Sequence, residues 1–141
     1  MIDKEIIRIA SNTKNHGVLN NHTHFSKLKN SICGDDMKVY LIVKNDKITD
    51  FKYECESCIY WQASVSFLSR KAENKSIKKV KNFAQQANIY FDKSTNSFDK
   101  EWKEFDKIMT KNNISRKECL LLPINTTLDA LNKKLLWILK K

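Results

Sequence analysis

The sequence predicts an α+β domain in which a small antiparallel sheet of about three strands packs against four to five helices. Hydrophobic residues alternate with period two between positions 37 and 55, as on a half-buried strand. Beyond Cys58 the period lengthens to that of a helix, so a sheet comes early and helices follow. Glycine occurs twice and proline once, which leaves no flexible linker to divide the chain.

Each element follows from its own pattern. Ile2, Ile6, Ile9 and Ala10 share a helical face over residues 2–10, and the Asn- and His-rich stretch 11–24 reads as a loop or a loosely ordered arm. In 37–44 one strand face carries Met37, Val39, Leu41 and Val43. Asn45-Asp46 is a turn pair that tolerates left-handed backbone. In 48–55 Thr49, Phe51, Tyr53 and Cys55 face opposite to Asp50, Lys52 and Glu54, so the two stretches form a hairpin. Residues 25–33 supply a third strand. Helices are expected over roughly 61–73, over 76–91 with Ser76 as cap, over 99–111 on Trp102, Phe105 and Met109, and over 124–139 on Leu128, Leu131, Leu135 and Ile138. The whole chain, 1–141, reads as one domain, with a helix and arm in 1–24 and the core in 25–139.

The formal net charge is +10, but the basic residues are spread along the chain and arginine is rare (Arg8, Arg70, Arg116). Groove readers and phosphate clamps favour arginine for its fork, so the charge reads as a solvated lysine surface and not as a nucleic-acid interface. No apolar run approaches the roughly 18 residues of a membrane span. Met1-Ile2-Asp3-Lys4-Glu5 carries acids where a secretion signal is basic and then apolar. These features predict a cytoplasmic protein without a membrane partner. Its cysteines are then reduced and suited to metal binding or catalysis before disulfides.

The cysteines are Cys33, Cys55, Cys58 and Cys119. They do not fall in two close pairs, which excludes a zinc ribbon or finger. Cys55-x-x-Cys58 lacks the setting of a thioredoxin-type pair. Cys55 shares a strand face with Phe51 and Tyr53 and reads as a core thiol, or as a spare acceptor of sulfur. Cys33-Gly34-Asp35 places a glycine between a thiol and a carboxylate, and its tight bend can aim both at one point. A soft and a hard ligand from one turn suit iron or zinc. Cys58 stands at a sheet-to-helix junction, where a helix N-terminus favours a thiolate. Cys119 follows Arg116-Lys117, cations that also favour a thiolate, and precedes Leu120-Leu121-Leu122-Pro123. His16, His22 and His24 have no spacing that ties them to the cysteines. Lys38 lies on the solvated strand face. Trp61, Trp102 and Trp137 are core or interface aromatics.

These motifs together resemble the NifU-like iron–sulfur scaffolds, the IscU and SufU type. Cys33-Gly34-Asp35 with Lys38-Val39-Tyr40-Leu41 is similar to the first family motif. Phe51-Lys52-Tyr53-Glu54-Cys55-Glu56-Ser57-Cys58 with Gln62-Ala63-Ser64-Val65-Ser66 resembles the second. Arg116-Lys117-Glu118-Cys119-Leu120-Leu121-Leu122-Pro123 with Leu128-Asp129-Ala130-Leu131 resembles the third. The resemblance covers about residues 25–132 and implies the IscU/NifU N-terminal fold.

It further implies a scaffold without turnover of its own. Cys33, Asp35, Cys58 and Cys119 would hold an iron–sulfur cluster, [2Fe-2S] or [4Fe-4S], or zinc in the isolated protein. Cys119 would be the first sulfur acceptor from a cysteine desulfurase, and acceptor apo-proteins would take the cluster. A zinc-bound SufU-type sulfur acceptor is the alternative function; a basic nucleic-acid-binding module ranks below both. The oligomeric state, monomer or dimer, is open.

Three departures narrow the resemblance. Asn30-Ser31 replaces the family's Asn-Pro, and Glu118 stands where histidine or lysine is common. Residues 112–117 read Asn-Asn-Ile-Ser-Arg-Lys in place of the chaperone-docking motif, so a dedicated Hsp70 is not an expected partner.

Overall fold

The alternating stretch folds as the expected hairpin. The computed structural model describes residues 4–29, 36–55, 58–92 and 98–140, with side chains as far as residue 132. Strand β2 (Asp36–Lys44) turns through Asn45 and Asp46 into β3 (Lys47–Glu54). Both turn residues have positive φ, 53° and 63°, the pair that joins right-twisted strands through two residues. Strand β1 (His24–Lys29) lies antiparallel on the other side of β2, giving the order β1-β2-β3. The three-stranded sheet agrees with the expectation; residues 30–33 of the expected first strand lie outside the described residues.

Met37, Val39 and Leu41 of β2 and Phe51 and Tyr53 of β3 share one buried face. Helix α1 (Lys4–Ala10) places Ile6 and Ile9 in the same core. Helices α2 (Ile59–Ala72) and α4 (Lys117–Lys140) cover the sheet. Ser26 of β1 donates a hydrogen bond to Asp129 of α4, and the Trp61 indole N–H of α2 points at the Met37 sulfur of β2. Helix α3 (Ile77–Tyr90) starts at its expected cap, with Ser76 Oγ accepting from the Lys79 amide at 3.2 Å. Among the described residues no helix is long and apolar enough to cross a membrane.

The helix expected over 99–111 is instead a pair of 3-10 helices, Lys100–Lys107 and Lys111–Arg116. The reason is in the spacing of the buried residues. Trp102, Phe105 and Ile108 recur every third position and are at most 2% exposed, and three residues per turn keeps them on one line. Trp102 stacks on Phe83 with centroids 4.2 Å apart, and Phe105 lies 4.7 Å from the same ring.

The last helix begins seven residues earlier than the hydrophobic stripe indicates and runs through Pro123. Proline has no N–H for the Cys119 carbonyl and crowds it. The next carbonyl, Leu120 O, receives the Ser64 hydroxyl at 2.6 Å, which ties this turn to α2. Of the expected stripe, Leu131 is buried and Leu128 packs on the core; the side chains of Leu135, Trp137 and Ile138 lie outside the described residues.

The stretch after α1 is not a loose arm. The Gly17 amide donates to Tyr53 O at 2.8 Å, and the Tyr53 amide donates to Asn15 O at 3.2 Å, so this segment lies along β3. Gly17 takes φ 147°, a backbone that other residues rarely adopt. The Thr23 amide then donates to Leu41 O at 2.8 Å. Between these ties His22 sits 5.6 Å from both Phe25 and Tyr40 on the outer face of the sheet. That strap explains why Tyr40, which alternates away from the core, is only 8% exposed. Its phenol donates to Glu54 at 2.6 Å and is pushed up to about 12, first by burial and then by that carboxylate.

Candidate functional site

The sheet register sets one end of the domain apart. Lys29 pairs with Asp36, so β1 ends and β2 starts there, and Lys38 pairs with Glu54, so β3 ends there too. Four residues later Cys58 forms the N-cap of α2, with φ −73° and ψ 136°. Trp61, in the first turn of α2, reaches back to Met37 at the start of β2. The sheet-to-helix junction at Cys58 is thereby pinned beside the chain that enters β2.

Helix α4 brings a second thiol to this end. The Arg116 guanidinium lies over the Tyr60 ring, 5.4 Å from its centre, and Ser64 bonds the Leu120 carbonyl. Both contacts join residues separated by the same offset along the sequence, so α2 and α4 run parallel with their N-termini together. Cys119 is in the first turn of α4, as Cys58 is at the cap of α2. Cys58 is half-buried, whereas Cys119 is 6% exposed and is flanked by exposed Arg116 and Glu118.

Of the four predicted ligands, Cys58 and Cys119 are thus brought to one end of the domain. Cys33 and Asp35 lie outside the described residues; the neighbouring Asp36 is at that same end. Among the described residues no three His, Cys, Asp or Glu side chains gather into a group able to hold a metal ion. The histidines are engaged elsewhere: His16 packs edge-on against Tyr53 at 5.4 Å, and His24 Nδ1 meets Thr23 Oγ1 at 2.8 Å. The basic pair before Cys119 is also divided, since Arg116 covers Tyr60 and Lys117 faces Asp92 at 3.6 Å.

Cys55 is 5% exposed and belongs to the core with Phe51 and Tyr53, as its strand face predicts. Burial pushes the Tyr53 phenol up to about 12; nearby Cys55 raises it further and Arg70 pulls it down. Cys55, Cys58 and Cys119 carry no disulfide.

Sequence reading marks Ala63-Ser64-Val65-Ser66 as a motif without giving it a task. In the fold Ala63, Ser64 and Ser66 are essentially fully buried, and buried hydroxyls need partners. Ser64 holds α4, and Ser66 donates to Asn12 O at 2.9 Å, holding the segment after α1. Serines on the buried face of a helix were the available signal. Ser64→Ala should cost about 0.5–1.5 kcal/mol, the net worth of the lost hydrogen bond to the Leu120 carbonyl. Chemical denaturation checks this, and an unchanged midpoint would show that the clip is dispensable.

Known proteins share this fold. The model for the NifU-like N terminal domain matches residues 1–91. The iron–sulfur cluster assembly scaffold protein IscU of Thermotoga maritima is 27% identical over 135 residues, spanning 94% of each chain. The crystal structure of a nitrogen-fixing NifU-like protein (N-terminal) from Brucella abortus superposes with a TM-score of 0.86 at 19% identity, over 94% of this chain and 92% of that one. At that identity the likeness speaks for the fold. A candidate SUF-system iron–sulfur cluster assembly scaffold from Fervidobacterium islandicum gives a TM-score of 0.82 at 26% identity, over 92% and 96% of the two chains. With parallel helices carrying thiols to one sheet end, and a family model that accounts for well over half of the sequence, the chain belongs to the NifU-like N-terminal domain family.

Proposed function

We propose that this protein is a scaffold on which an iron–sulfur cluster is assembled and from which it is passed on. The observation that carries the reading is the convergence of Cys58 and Cys119 at the joined N-termini of α2 and α4, beside the end of the sheet where β2 begins. The IscU scaffold of Thermotoga maritima, similar along nearly the whole chain, supports it.

Cys33 and Asp35 complete the ligand set in this reading. The connection from Lys29 to Asp36 starts and ends at the site end, so a short span of chain suffices to bring them in. Three thiolates hold iron firmly, and one carboxylate oxygen loosens the grip of a protein that must release its cargo. Cys119 is the first sulfur acceptor, and half-buried Cys58 stands at the same end of the fold. The partners are a cysteine desulfurase and acceptor apo-proteins of the cytoplasm. The whole chain acts as a single domain.

Anaerobic incubation with ferrous iron, L-cysteine and a cysteine desulfurase should give a brown protein with sulfur-to-iron charge-transfer absorption. A colourless protein with one tight zinc that still speeds the desulfurase would shift the function to sulfur acceptance alone; zinc takes the same tetrahedral set. Asp35→Ala should slow the loss of a bound cluster to a chelator severalfold, followed by the decay of absorbance. Faster loss would contradict the role given to Asp35.

A further inference from the structure

The strand register turns lysines to the outer face of the sheet. Phe25, Tyr40 and Lys52 are cross-strand neighbours on that face, as are Lys27, Lys38 and Glu54, and Lys29 lies opposite Asp36 in the row beyond. Lys27 and Lys29 are exposed; Lys38 and Lys52 are half-buried. Among the described residues none of the four joins an ion pair. The Glu54 carboxylate, opposite Lys38, accepts the Tyr40 phenol instead. Lys27 and Lys38 also stand directly opposite each other, and like charges so placed destabilise a sheet. Lysines on an edge strand deter pairing with other chains. That accounts for Lys27 and Lys29 on β1, but Lys38 is on the central strand, and the edge of β3 is already covered by the segment that bonds Tyr53. Such a repulsion is relieved when an anionic group lies over it.

We propose that this face docks an acidic, extended segment of a partner protein beside the thiol end of the domain. The pairs Lys29–Asp36 and Lys38–Glu54 mark the end of the sheet where β2 begins and β3 stops, so a segment seated on them lies next to that end. The link to cluster traffic rests on the scaffold reading; the docking face itself does not. Alternate residues of a strand project to one side about 7 Å apart. Lys27 and Lys29 have that spacing on β1, so carboxylates at every second position of an extended segment match them. A nucleic acid fits the face less well. Asp36 and Glu54 sit among the lysines, where phosphates would meet them. The Phe25 ring is packed 5.1 Å from Tyr40 and 5.6 Å from His22, and is not held out as a platform for bases.

The test uses the full reduced chain and a fluorescein-labelled octapeptide of alternating Glu and Ser, with binding read by fluorescence anisotropy. The wild type should bind the peptide, and added salt should weaken binding. Lys27→Glu/Lys38→Glu should bind at least about tenfold more weakly, since two attractions become two repulsions. Lys78→Glu/Lys81→Glu changes the net charge equally on α3, which starts at the hairpin turn and not at the site end. It should bind within about twofold of the wild type, because exposed charges beyond a Debye length are screened. Equal losses in the two double variants would reduce the effect to net charge and overturn the proposal. So would a wild type that leaves the peptide free. An oligothymidine of equal charge that binds more tightly than the peptide, and is lost with Lys27→Glu/Lys38→Glu, would give the face to nucleic acid and also overturn it. Lys27→Gln/Lys38→Gln should weaken peptide binding yet raise the urea midpoint, because the repulsion is gone. A lower midpoint would show that the two lysines do not repel and would remove the ground of the proposal. If the wild type binds the peptide as stated but assembles no cluster from iron and sulfide, the scaffold reading falls and the docking face stands.

Discussion

Replacing Cys119 by serine is expected to leave the domain folded and strip it of its cluster. The side chains are nearly equal in size, and Cys119 occupies the first turn of α4, where serine is readily accommodated. The chemistry is not equal. A serine hydroxyl stays protonated near neutral pH and is a hard ligand, whereas iron–sulfur clusters are held by soft thiolates. Losing even an outer-shell partner weakens metal sites by about 10–100-fold, and loss of a direct ligand should exceed that range. Iron and sulfide per chain after anaerobic reconstitution give the measurement, with circular dichroism as the check on folding. A Cys119→Ser protein that retains as much cluster as the wild type would remove this residue from the ligand set and leave Cys58 without its counterpart on α4.

Trp61→Ala should cost about 3–5 kcal/mol, the range for truncating a large buried aromatic. Trp61 is 0% exposed and joins the first turn of α2 to Met37 at the start of β2. Removing it opens a cavity at the junction that positions Cys58. Against a total of about 5–15 kcal/mol, the loss is a large part of the stability. The melting temperature should fall by roughly 10–20 °C for a domain of this size. Trp61→Phe keeps most of the volume and should fall much less. Urea denaturation of both variants measures the difference. A Trp61→Ala midpoint close to the wild type would show that the cavity collapses without cost and that this contact does not pin the junction.

The hairpin was legible because alternation and the Asn45-Asp46 turn act within a few residues. The helices at Ile59–Ala72 and Ile77–Tyr90 were legible for the same reason. The Trp102 segment reads as a regular helix because Trp102, Phe105 and Met109 fit helical spacing; Met109 is buried as that spacing predicts, but equally buried Ile108 continues the three-residue run that the 3-10 helix follows. Pro123 looked like a boundary, since no local signal says that a serine on another helix will bond the turn ahead of it. The polar stretch after α1 looked mobile because its fasteners are backbone groups of distant strands, which leave no mark on its own composition. At the site, the residue types and their order make Cys58 and Cys119 candidate ligands; that both lie at helix N-termini on one end of the domain is visible only in the fold.

What the sequence by itself determined is which residue types are candidate ligands, and that Cys58 stands where a strand ends and a helix begins. Those properties arise from side-chain type and from neighbours within a turn or a strand. Only the tertiary structure decided that α2 and α4 run side by side in the same direction, with both thiols at one end. That arrangement depends on contacts such as Arg116 over Tyr60 and Ser64 on Leu120. These join residues far apart in the chain, and their energy exists only once the core between them has packed.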